Sequence, residues 1–137
     1  MALDSHLRFQ RTRDDHSRET AEDYVELIDA LLQESGEARA VELAQRLGVS
    51  HVTVSKTVQR LIREGFVSSQ PYRSIFLTPK GLALAQASRE RHILVHDFLV
   101  ALGVPDEIAE ADTEGIEHHV SDQTLDAMRR LLESAKK

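Results

Sequence analysis

Glu114-Gly115-Ile116-Glu117-His118-His119 gathers cation-binding residue types into one short stretch. Read on a single helix, positions 114, 117 and 118 fall at i, i+3 and i+4, so two carboxylates and an imidazole share a face. Like charges at this spacing repel on a bare helix surface, and a divalent ion between them reverses the sign. Oxygen donors with one nitrogen, in a chain without cysteine, suit Mn(II) or a similarly hard ion better than a thiolate-preferring metal. The bland alternative is a solvated acidic helix face. Asp23 and Glu26 form a second acidic pair at i, i+3, just ahead of Leu27-Ile28. On their own they read more often as first-turn carboxylates favoured by the helix dipole. His92 and His96 stand at i, i+4 further along.

Charge is unevenly spread. The whole chain carries −6, yet Arg39 to Lys80 holds seven basic and two acidic residues, a net +5. One segment has the electrostatics of a phosphate binder and the remainder those of a cation binder. At 41% hydrophobic and 29% charged, the composition is that of a globular protein. No run approaches the ~18 apolar residues of a membrane span, and no apolar leader is visible. Absence of cysteine removes disulfides and thiolate sites and agrees with a cytoplasmic location. Gly-rich phosphate loops are also missing.

The elements that must position these groups follow from apolar period and capping residues. Residues 1–19 are polar, with Arg8, Arg11 and Arg13, and read as a mobile tail. Thr20 to Ser35 reads as a helix with Val25, Ile28, Leu31 and Leu32 inward; Thr20 and Asp23 cap it and Gly36 ends it. Ala40–Leu47 and about 51–64 read as two short helices around Gly48-Val49-Ser50, a helix-turn-helix. The second helix turns Ser50, His51, Thr53, Ser55, Lys56, Gln59 and Arg60 outward, residues able to meet base edges and phosphates. Arg39 precedes the pair. Residues 66–70 and 74–77 read as strands around Pro71-Tyr72-Arg73, a wing with Arg73 at its tip. Thr78-Pro79 opens a long helix, Lys80 to about Leu102, closed by Gly103. Short helices are then expected over 105–111 and 113–120. Ser121 caps a last one carrying Leu125, Met128, Leu131 and Leu132. Residues 104–135 are too few to bury their own core, so a homodimer is expected to complete it. The fold class is thus mainly α: a winged helix-turn-helix over 20–79, then a connector helix and helical dimerisation domain over 80–137.

In order and spacing, these residues resemble the manganese-dependent regulator branch of the diphtheria-toxin-repressor family. The matching stretches are Glu22-Asp23-Tyr24-Val25-Glu26, Ala40 to Arg63, Tyr72-Arg73 with Phe76-Leu77-Thr78, Arg91-His92 before Phe98-Leu99, and the motif at 114–119. The resemblance implies six metal ligands, Asp23, Glu26, His92, Glu114, Glu117 and His118, around two ions per protomer. Four carboxylates and two divalent ions are close to electroneutral, whereas four packed carboxylates alone repel. Iron-sensing relatives place softer Met and Cys where Asp23 and Glu114 stand, so carboxylates here favour Mn(II). Fe(II), Co(II), Cd(II) and Zn(II) remain admissible, because Mn(II) is the weakest binder of the divalent series. His96 and His119 receive no ligand role. Ser74 stands where a glycine is common.

The function these features imply is a Mn(II)-activated repressor of manganese uptake genes. It would bind palindromic double-stranded operator DNA as a homodimer, with no membrane and no small organic substrate. Two alternatives stand beside it: a repressor of the same family answering another divalent ion, and a di-metal carboxylate enzyme. The ligand inventory allows the enzyme, but no separate nucleophile or acid is visible. A winged-helix regulator without metal is a further reading.

Overall fold

A computed structural model describes residues 5–69 and 73–136. Gln70, Pro71 and Tyr72, expected at the wing, lie outside the described residues, as do positions 1–4 of the expected tail. Two compact units divide the chain: Thr20–Gln86, and the described residues up to Glu19 together with those from Ala87 onward. The division at Gln86 falls inside a helix rather than at its start, where the sequence placed the domain boundary.

The first unit contains the later turns of α1 (Ser5–Ser35), then α2 (Ala40–Leu47), α3 (His51–Arg63), β1 (Val67–Ser68), β2 (Phe76–Leu77) and the opening of α4 (Pro79–Ala101). Val25, Ile28 and Leu31 recur at helical spacing on α1 and are buried. Ile28 and Leu31 join Ala38, Leu43, Val54, Leu61, Val67 and Ile75 in one apolar core. Gly48 closes α2 at φ 68, with its N–H donating to the Ala44 carbonyl, a left-handed cap that costs glycine nothing. Ser50 caps α3 by accepting from the Thr53 N–H at 3.1 Å. The helix-turn-helix therefore forms as its capping residues dictate.

The wing pairs antiparallel, Val67 with Leu77 and Ser68 with Phe76, a shorter ladder than the runs 66–70 and 74–77 suggest. Ser74 explains its own departure from glycine. It is buried, and its Oγ accepts from the Ala38 N–H at 2.8 Å. The Ile75 N–H donates to the Ala38 carbonyl at 2.7 Å, so the wing's return strand is stitched to the segment between α1 and α2. Thr78 caps α4 by accepting from the Gly81 N–H at 3.1 Å, as expected. Gly81 is required by close approach: a Cβ there would lie 2.0 Å from the Phe66 carbonyl oxygen.

The expected start of α1 is corrected. The helix begins at Ser5, not Thr20, so Thr20 is not a cap and residues 5–19 are not a tail. They lack an apolar period, which hid the helix. Polar pairs one turn apart support it instead: Gln10 with Asp14 at 3.0 Å, Arg13 with Gln10 at 2.8 Å and Arg18 with Asp15 at 2.9 Å.

The second unit adds the later turns of α4 to α5 (Asp106–Ile116) and α6 (Asp122–Ala135). Here too the sequence reading is corrected. A single helix replaces the two expected over 105–111 and 113–120. Thr113 starts no new helix; it is buried, and its hydroxyl donates back to the Ala109 carbonyl at 2.6 Å, which satisfies it inside a continuous helix. Ser121 does cap α6, accepting from the Thr124 N–H at 3.1 Å.

Candidate metal centre and nucleic-acid interface

Because α5 closes at Ile116, the acidic motif straddles a helix end rather than lying along one face. Glu114 and Gly115 are in the last turn. Glu117 is the C-cap, its N–H donating to the Thr113 carbonyl at 3.0 Å. His118 follows in the turn. This geometry buries what a helix face would have exposed: Glu117 and His118 are each 1% accessible, while Glu114 stays exposed. The Glu117 Oε1 lies 3.2 Å from the His118 Nε2.

His92 arrives from α4. Its Nδ1 is 2.7 Å from the Glu117 Oε2 and 3.7 Å from the Glu114 Oε1. His92, Glu114 and Glu117 each offer a ligand atom, all within 4.8 Å of one another. Burial opposes the charged form of His92, but the Glu117 carboxylate and the hydrogen bond to Glu110 outweigh it and raise the imidazole pKa. The acidic set thus favours positive charge at His92, and a divalent ion supplies such charge more densely. The donor set fits such an ion: carboxylate oxygens and imidazole nitrogens converge, two of them removed from solvent.

Of the six ligands implied by resemblance, four lie in this unit: His92, Glu114 and Glu117 converge, and His118 adjoins them through Glu117. Asp23 and Glu26 lie on α1 in the winged unit, both half-buried. His119 turns elsewhere, with Nε2 3.1 Å from the Glu19 Oε2 and Nδ1 3.7 Å from the Asp15 Oδ2. Arg18 donates to the His118 carbonyl at 3.0 Å. The sequence reading missed these contacts because it took residues 5–19 for a tail. It also missed Glu110, whose place one turn before Glu114 was the available signal.

In the winged unit, His51, Thr53, Ser55, Lys56 and Gln59 are exposed along α3. The Ser50 hydroxyl is engaged in the cap. Arg60 is half-buried and pairs with Glu64 at 3.5 Å. Arg39 pairs with Glu37 at 3.2 Å; the hydrogen bond raises the Arg39 pKa and lowers that of Glu37. Arg39, Ser55, Gln59 and Arg73 line one groove of about 460 Å³. Val52, which the sequence reading passed over, is 63% exposed at the start of α3 and offers an apolar contact of the kind that meets a thymine methyl.

A winged helix with a polar and basic reading face, and a buried imidazole–carboxylate set, define the class: a metal-responsive DNA-binding regulator. The comparisons agree. Residues 16–75 match the iron dependent repressor N-terminal DNA binding domain, and residues 78–137 match the iron dependent repressor metal binding and dimerisation domain. The chain is 56% identical over 119 residues to the transcriptional regulator MntR of Salmonella typhimurium, covering 87% of this chain and 76% of that protein. It is 39% identical over 112 residues to the HTH-type transcriptional regulator MntR of Geobacillus kaustophilus, covering 82% of this chain and 79% of that one. A solved manganese-dependent transcriptional repressor in complex with manganese superposes with a TM-score of 0.72 at 32% identity, over 82% of this chain and 52% of that chain. ScaR with bound Zn2+ superposes with a TM-score of 0.72 at 29% identity, over 82% and 53%. The chain spans about half the length of these two solved proteins. It belongs to the MntR regulators of the diphtheria-toxin-repressor family, metal-dependent DNA-binding transcriptional repressors. No helix among the described residues is long and apolar enough to cross a membrane.

Proposed function

We propose that this protein is a cytoplasmic, Mn(II)-activated repressor of manganese uptake genes, without enzymatic activity, acting as a homodimer on a palindromic operator. The observation that carries the reading is the buried Glu117 carboxylate between His92 and His118, at 2.7 and 3.2 Å. A carboxylate this far from water needs a compensating positive charge. In this reading the ligands are Asp23, Glu26, His92, Glu114, Glu117 and His118, around two Mn(II) ions per protomer. The bound ions supply positive charge to the acidic set. Asp23 and Glu26 sit on the helix that packs into the winged core, so their ligation restricts where the reading helix of each protomer can stand. Restricting both to the spacing of two half-sites favours operator DNA over other DNA.

Metal and DNA affinities are then reciprocally linked, typically by ~1–3 kcal/mol. The residues proposed to meet DNA are Arg39, Ser50, His51, Thr53, Ser55, Lys56, Gln59, Arg60 and Arg73, of which Lys56, Gln59 and Arg73 have the clearest access. The relatives' names support manganese. Fe(II), Co(II), Cd(II) and Zn(II) fit the same donor types, and the solved ScaR structure with bound Zn2+ favours testing them.

Anaerobic titration of Mn(II), Fe(II) and Zn(II) into the protein, with a labelled manganese-transporter promoter fragment read by anisotropy, tests the proposal. Tight DNA binding with Mn(II) at the lowest free-ion concentration is expected. DNA binding that ignores every ion overturns it.

A further inference from the structure

His92 has two ring nitrogens, and the structure gives each a different carboxylate. Nδ1 faces Glu117 at 2.7 Å and Glu114 at 3.7 Å. Nε2 faces the Glu110 Oε1 at 2.9 Å. An imidazole that binds a metal does so through a deprotonated nitrogen and carries its hydrogen on the other. We propose that Glu110 is a positioning residue: in the metal-loaded site it accepts the Nε2–H of His92, fixes that tautomer, and leaves the Nδ1 lone pair to an ion held with Glu114 and Glu117. The proposal rests on the reading of His92 as a ligand and names the atom through which it ligates.

Glu110 is itself held from a second side. His96 stands one turn after His92 on α4, and Asp106 one turn before Glu110 on α5. The His96 Nε2 is 2.9 Å from the Asp106 Oδ1 and 3.7 Å from the Glu110 Oε2. Two helices thus present matched i, i+4 pairs, imidazoles on one and carboxylates on the other. The order Asp106, His96, Glu110, His92, Glu117 alternates acid and imidazole along its whole length. Glu110 sits between two imidazoles, with Oε1 at hydrogen-bond distance from His92 and Oε2 3.7 Å from His96. A carboxylate behind a ligating histidine fixes ring orientation and raises basicity, and losing one typically costs ~10–100-fold in metal affinity.

The test uses Glu110→Leu, which removes the acceptor, and Glu110→Gln, which keeps an oxygen at the same reach without the charge. Zn(II), being diamagnetic, allows imidazole ¹⁵N spectra of the loaded protein, with His92 assigned through His92→Gln. In the unmodified protein the His92 resonances should show metal at Nδ1 and hydrogen at Nε2. Glu110→Leu should weaken Mn(II) and Zn(II) affinity by about 10–100-fold and broaden or shift the His92 signals, and Glu110→Gln should recover most of both. Metal on Nε2, or unchanged affinity and spectrum in Glu110→Leu, overturns the assignment. His92→Gln separates the two levels. If it leaves metal affinity intact, the ligand reading itself fails; if it weakens metal while Glu110→Leu does not, only the role of Glu110 fails.

Discussion

The two units of this protein bury different mixtures of residue. In the winged unit most of the deepest side chains are apolar: Ile28, Leu31, Leu43 and Leu61 are at most 1% exposed, with Glu22 the one charged side chain buried as deeply among its described residues. In the other, the buried set is Val95, Ala109 and Leu125 against Ser88, Thr113, Glu117 and His118. That unit also leaves Ile93, Val100, Leu102, Ile108 and Leu131 open to solvent. One unit folds around a hydrophobic core of its own. The other buries more polar side chains than apolar ones and exposes apolar surface as well, which suits completion by an ion and a partner subunit.

The strongest way to break this contrast is to remove the buried carboxylate. Glu117→Ala takes away a group that is 1% exposed and touches both His92 and His118. Mn(II) affinity measured calorimetrically should fall by more than the ~10–100-fold typical of an outer partner, and metal-activated DNA binding should disappear. If metal-dependent DNA binding survives, the buried charge has another purpose and the contrast is only one of composition.

Gly81→Ala attacks the opposite unit. The added methyl would sit 2.0 Å from the Phe66 carbonyl oxygen and 3.0 Å from its carbon, both backbone atoms that cannot swing away. Overpacking of this kind costs typically ~1–3 kcal/mol and sometimes more. Urea unfolding should show a lower midpoint, with the loss concentrated in amides of the winged unit by hydrogen exchange. Equal loss of protection in both units would mean that they do not divide as the burial pattern says.

Much of the winged unit was legible because its signals are local. Gly36, Gly48 and Ser50 punctuate the helices, and the apolar period of Val25, Ile28 and Leu31 is regular. The second unit was less legible, because burial rather than local signals decides its turns. Thr113 reads as the start of a helix, but it lies inside one, buried, with its hydroxyl turned back onto Ala109. The motif at 114–119 reads as a helix face, yet the helix ends inside it and burial of Glu117 and His118 results. Residues 5–19 carry no apolar stripe, so their helix was invisible to periodicity and rests on polar pairs. Glu110 needed only the i−4 rule from Glu114, but nothing in the sequence says which way a histidine ring turns.

Ser74→Ala is a milder probe of the winged unit. Its hydroxyl is the acceptor for the buried Ala38 N–H at 2.8 Å, and orphaning such a donor costs ~1–3 kcal/mol. The denaturation midpoint should drop accordingly while Mn(II) affinity stays within error. A matching loss of metal affinity would show that the wing's anchor also supports the sensing residues.

The smallest expected effect concerns the reading face alone. Lys56 is exposed on α3, inside the +5 segment of an otherwise acidic chain. A lysine that neutralises one phosphate releases about one counterion, so its removal lowers the salt slope of binding by ~0.9. Lys56→Ala should weaken operator and non-operator DNA alike, flatten the plot of log affinity against log salt by about that amount, and leave Mn(II) affinity unchanged. A change in preference between operator variants with the slope intact would instead place Lys56 at a base edge, as an arginine or lysine meeting guanine does. The two outcomes differ in kind, because a phosphate contact carries charge but no sequence information and a base contact carries both.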